Sequence, residues 1–223
     1  MEPDMNLHLT PLLRCAGLVL ALALAIPCAS AAAPAPDAVI EAGTQLNQAA
    51  MAGSSSAVAQ AEAYFAQQLA AFPSDPLLRA YYGSSHSRLA TTTWLPWKKM
   101  SYAEDGLADL DKALAQLTAE QDTQMHRGVP VSLETRFVAA STFVSLPSMF
   151  NRKARGGKLL EDVLKSPLLE RTPMPFRAAV WMRAATTAHT DGRTADEKRL
   201  LGLVAASGTP LSAAAQTALK DLP

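Results

Sequence analysis

Prolines punctuate this chain wherever a helical pattern would otherwise run on. Phe72-Pro73, Asp75-Pro76, Leu95-Pro96, Pro130, Pro147, Pro175 and Pro210 all lie at the edges of apolar-periodic segments. Proline lacks the backbone N–H and clashes with the preceding turn, so it suits a connection or a first helical turn and not a helix interior. The chain also holds 43 Ala and 31 Leu, a third of its 223 residues. Both are strong helix formers, which excludes an all-β fold.

The segments follow from spacing and caps. Asp37 is an N-cap candidate for a helix to about Met51, closed by Gly53. Val58, Ala61, Phe65 and Leu69 have helical spacing in a second helix, 55–71. Further helices are predicted over 76–92, 101–117, 131–145, 152–165, 175–190, 195–206 (capped by Thr194) and 210–219. The polar stretch 118–128 reads as loop, and no segment reads as a strand. The expectation is an all-α fold of eight to nine helices.

Residues 12–33 carry one charge, Arg14, ahead of an apolar block ending at Pro27 and the small tract Ala29-Ser30-Ala31-Ala32-Ala33. Basic flank, brief apolar core, helix breaker and A-x-A site are the parts of a secretory signal peptide. Residues 1–31 are predicted to be one, cut after Ala31 or Ala33, which makes the protein periplasmic. The alternative is an inner-membrane anchor over 12–33, since that run approaches the roughly 20 residues that span a bilayer. Glu2 and Asp4 are out of place in such a segment, so Met5 is an alternative start. Cys15 and Cys28 are the only cysteines and both lie in it, so its removal leaves no thiol for a disulfide, zinc site or nucleophile. The remaining 19 basic and 18 acidic residues nearly cancel, which excludes a polybasic surface for nucleic acid. Residues 32–54 are read as an Ala/Pro spacer with an N-terminal helix, and 55–223 as one helical domain.

Short proline-containing turns between helices suggest stacked hairpins. Ala61, Phe65 and Pro73 have the spacing A-x3-F-x7-P, and Gly83 lies ten residues past that proline. Ala140 and Phe143 stand ten and thirteen past Pro130, and Ala185 ten past Pro175. On these positions the chain resembles the tetratricopeptide-like helical repeats from about Ser55 to Ala206. It departs from them in lacking the usual tryptophan and in insertions at 118–128 and 166–172. The stretches Ala80-Tyr-Tyr-Gly-Ser, Thr93-Trp-Leu-Pro-Trp-Lys-Lys, Leu110-Asp-Lys-Ala-Leu and Ser145-Leu-Pro-Ser-Met-Phe-Asn-Arg are also similar to a group of exported bacterial proteins of this repeat type. The resemblance implies a right-handed stack of antiparallel hairpins and carries no activity with it.

Motifs that bear chemistry are few. His86, His126 and His189 stand in three separate segments without ligand spacing. Ser84-Ser85-His86-Ser87 lacks a G-x-S-x-G elbow, and Gly156-Gly157-Lys158-Leu159 lacks the Ser or Thr and the preceding strand of a phosphate loop. Arg152, Lys153, Arg155 and Lys158 crowd a helix start, where cations are unfavourable, and read either as a solvated turn or as a hint of an anionic partner. Trp94 and Trp97 are expected to plug the seam between the first two hairpins; the alternative is an aromatic anchor for a partner, beside Lys98 and Lys99.

In stacks of this type the first helix of each hairpin lines a groove. Carrying the inward offsets from Gly83, Ala140 and Ala185 gives Ala80, Ser84, Ser87 and Arg88; Glu134, Phe137, Ser141 and Val144; and Met182, Thr186 and His189. Hydroxyls, a cation, an anion and large apolar side chains suit a peptide or a protein segment; the alternative is a groove closed by its own side chains. The chain is therefore expected to be a non-catalytic adaptor or scaffold for a protein or peptide partner, with no cofactor, metal or nucleic acid. Two other readings stand beside it: an accessory subunit of a membrane transport or envelope-assembly complex, and an enzyme assembled from distant residues, with Glu134 and His189 as the candidate pair.

Overall fold

A computed structural model describes Met1, residues 34–51 and residues 53–222. Apart from Met1, these belong to one compact unit, Ala32–Pro223. The export-segment reading lies outside the described residues, as do Cys15 and Cys28. Among the described residues no helix is long and apolar enough to cross a membrane.

Nine α-helices are described: α1 (Asp37–Met51), α2 (Ser55–Ala71), α3 (Pro76–Arg88), α4 (Pro96–Ala115), α5 (Val131–Ser145), α6 (Lys153–Lys165), α7 (Met174–Thr190), α8 (Thr194–Ala205) and α9 (Ser212–Lys220). The chain is thus all-α, with one exception in the stretch expected to be loop. There a two-residue strand β1 (Met125–His126) pairs antiparallel with β2 (Val129–Pro130) around Arg127-Gly128. Both turn residues have positive φ, 51° and 77°, the backbone a tight hairpin requires. Two paired residues are too short for alternation to reveal them.

The caps show which residues set the boundaries. Asp75 Oδ1 accepts from the N–H groups of Leu77 and Leu78 at 2.9 and 3.0 Å, with Pro76 at the first helical position. Its other oxygen accepts from Ala35 N–H at 3.0 Å, so one buried carboxylate both caps α3 and pins the chain entering α1. Asp37 is not a cap as predicted, because its carboxylate reaches across to the 125–130 hairpin. Thr194 opens α8 without capping it. The fourth helix starts five residues earlier than expected, since Pro96 serves as its first residue rather than as part of a connection.

Consecutive helices pack in pairs, α1 on α2, α3 on α4, α5 on α6 and α7 on α8, while α5 also packs on both α3 and α7. Missing side chains make the close approaches possible. A Cβ on Gly43 would lie 2.4 Å from the ring of Phe65, and one on Gly156 would lie 2.7 Å from Phe143 Cβ. The Gly156 site, which superficially suggests a phosphate loop, is therefore a helix-packing notch. Phe65 stacks on Tyr81 with centroids 5.1 Å apart and so joins α2 to α3. Leu107, Leu110 and Phe143 form the core between α4 and α5, and Ala185, Leu200, Leu201 and Val204 that between α7 and α8. Burial of these side chains contributes about 1.5–3 kcal/mol for each large aliphatic or aromatic one.

Candidate functional site

Three helices converge on the polar face that carries the candidate site. Thr142 on α5 hydrogen-bonds Ser84 on α3 at 2.8 Å. One turn beyond Ser84, Arg88 ends α3. One turn beyond Ser141, Ser145 ends α5; its hydroxyl donates to the Ser141 carbonyl at 2.7 Å and accepts from Arg183 of α7 at 3.3 Å. Arg88 and Arg183 thus approach α5 from its two neighbours. Neither forms an ion pair among the described residues. Arg88 Nε and Ser141 Oγ are both buried without a hydrogen-bond partner. Burial pulls the Arg88 guanidinium below its ordinary pKa; burial, followed by the nearby charge of Arg88, does the same to Arg183. Arginine keeps its proton regardless, so two partly desolvated cations face a common region.

Several other groove candidates are used inside the fold, and the rest lie along α7. Glu134 is buried, its side chain 4% exposed, and accepts from the Tyr81 hydroxyl at 2.6 Å and from Arg127. Burial, then the charge of Glu134, raises the Tyr81 pKa well above 10. Ala80 is buried in the α3–α4 core and Ser87 packs where Gly106 lacks a side chain. Phe137 meets Phe176 of α7 edge to face at 5.4 Å, and Val144 fills the notch at Gly156. Met182 is half-buried against the α7–α8 core, and Thr186 is exposed. His189, 70% exposed, pairs with Glu197 of α8 at 3.0 Å. The candidate acid-base pair is therefore not assembled: Glu134 and His189 each have other partners.

The second predicted surface divides. Trp94 and Trp97 do not plug a seam; they are 82% and 66% exposed, because Pro96 starts α4 and leaves both at its solvent end. The basic run is largely paired. Arg152 and Arg155 share Asp111 of α4 and both lie over the Phe143 ring, and Lys153 meets Asp191 at 2.9 Å. These carboxylates offset the unfavourable helix start, and Lys158 remains exposed.

Arg127 and Arg183 were missed from sequence. Arg183 is the immediate neighbour of Met182 and stands one position off the predicted register. Arg127 binds Glu134 from the unpredicted hairpin and reaches Thr44 of α1 at 3.2 Å, while His126 beside it meets Asp37 at 2.7 Å. Among the described residues no cluster of three or more His, Cys, Asp or Glu forms that could hold a metal ion. No protein-family model, curated protein or solved structure matches the chain.

Proposed function

We propose that this is an exported, non-catalytic helical-repeat module that holds a segment of a partner protein across α3, α5 and α7. The observation that carries the reading is the continuity of these alternate helices: α5 packs on both α3 and α7, and the shared face presents Ser84, Arg88, Ser141 and Arg183. In this reading the helix pairs stack as tetratricopeptide-like hairpins in a right-handed array, and the first helix of each pair lines the groove. Hydroxyls and forked guanidinium donors on a rigid helical scaffold suit an extended, acidic protein segment.

A photo-crosslinking amino acid placed in turn at Ser84, Thr186 and, on α8, Lys198 tests this in the living host. The same protein captured from Ser84 and Thr186 but not from Lys198 is the expected result. Equal capture from all three, or none from the first two, overturns it. Export is tested on the same material by N-terminal sequencing, which should begin after Ala31 or Ala33.

A further inference from the structure

We propose that Arg88, Arg183 and Ser141 form a subsite for one carboxylate group, taken from an acidic side chain or chain end of the bound segment. This deepens the reading of the groove given above and rests on it.

The arrangement is a built one. Arg88 is fixed on α3 one turn past Ser84, whose hydroxyl is tied to Thr142 of α5. Arg183 is held on α7 by Ser145, itself tied to the Ser141 carbonyl. The two guanidiniums are close enough for the charge of Arg88 to be felt at Arg183. Most other described arginines are matched: Arg79 with Asp109, Arg127 with Glu134, Arg152 and Arg155 with Asp111, Arg193 with Asp191 and Asp196; Arg171 and Arg177 also lack an ion pair, and Arg177, whose Nε is likewise buried without a partner, lies over the Trp181 ring. Arg88 and Arg183 have no such carboxylate among the described residues, and Arg88 Nε and Ser141 Oγ are buried donors without acceptors. Leaving buried donors unsatisfied beside a like charge is unfavourable, and an oxyanion relieves all of it at once.

The occupant of the groove selects the oxyanion. A protein segment carries its negative charge on carboxylates, in acidic side chains and at the chain end, and the planar carboxylate matches the forked donors of a guanidinium.

The test follows the arginine Nε–Hε resonances of the purified protein by NMR during titration with acetate, with inorganic phosphate and with chloride at constant ionic strength. Saturable shifts of Arg88 and Arg183 with acetate, smaller ones with phosphate, and none at Arg193 or Arg199 are expected. Arg183→Gln should abolish the acetate response at Arg88, and Arg88→Gln that at Arg183, while circular dichroism stays native in both. No saturable response of the two arginines, or a larger response to phosphate than to acetate, overturns the proposal. The groove stands or falls separately: crosslinking from Ser84 that persists in Arg88→Gln/Arg183→Gln, together with no acetate response in the wild type, removes the subsite and keeps the groove.

Discussion

Gly83 of α3 and Gly106 of α4 meet with their backbones almost in contact. A Cβ added to Gly83 would lie 2.6 Å from the Gly106 carbonyl oxygen, and one added to Gly106 would lie 2.5 Å from that of Gly83. The approach is mutual and involves main chain, which cannot swing aside. Either Gly→Ala change gains helix propensity, about 1 kcal/mol, but must spread the two helices. We expect Gly83→Ala and Gly106→Ala each to lower stability by about 1–3 kcal/mol in urea unfolding, despite the better propensity.

The buried Glu134 should be the most sensitive polar position. Glu134→Ala strands the Arg127 guanidinium and the Tyr81 hydroxyl together; since Arg127 retains 31% exposure, the expected loss is about 2 kcal/mol, below that of a fully buried pair. Tyr81→Phe removes one hydrogen bond and should cost about 1 kcal/mol. Denaturant melts of the two variants and their double should show a shortfall from additivity, as expected of groups sharing one network.

The hairpin carries an acid-sensitive contact. Hydrogen bonding to His126, partly opposed by desolvation, holds the Asp37 carboxyl below its ordinary 3.8. A carboxyl lowered in the folded state stabilises it above the unfolded value and loses that contribution as pH falls through the folded one. With 58% of the side chain exposed the contribution is screened, under about 1 kcal/mol. The stability gap between wild type and Asp37→Asn should be present at about pH 6 and close by about pH 2.

Arg88→Gln should leave the free protein as stable as the wild type or stabilise it by up to about 1 kcal/mol. The change removes a desolvated charge and relieves Arg183, whose own pKa Arg88 depresses. A thermal melt without added carboxylate measures it; a large loss would mark Arg88 as a structural residue.

Trp94 and Trp97 stand in solvent, so replacing both with Ser should change stability by less than about 0.5 kcal/mol. The same variant should lose the long-wavelength, acrylamide-quenchable part of the tryptophan emission and keep that of the half-buried Trp181.

Helices were legible because their signals are local. Asp75-Pro76, the Val58-Ala61-Phe65-Leu69 stripe and the proline stops each act within a few residues. Small residues at Gly83 and Ala140 marked the layer to which Ser84, Arg88 and Ser141 belong. Side-chain partnership was not legible, because it is set by residues far apart in sequence. Glu134 looked like a groove anion until Arg127 and Tyr81 were found on it, and Arg152 and Arg155 looked free until Asp111 of α4 was seen between them. Arg183 escaped because one residue on a helix turns a side chain through about 100°. The tryptophans misled for a related reason: a large apolar side chain is more often inside, but Pro96 decides where the helix starts and hence where they point.

The 125–130 hairpin also sets an order of events. Its bonds to α1, from His126 and the Arg127 backbone to Asp37 and from the Arg127 side chain to Thr44, join residues 83 to 90 positions apart. Closing a contact across that length of chain costs more entropy than packing α1 on its neighbour α2. The N-terminal helix pair therefore forms with its tether still open, and its final docking is a late, non-local step in the folding of the chain.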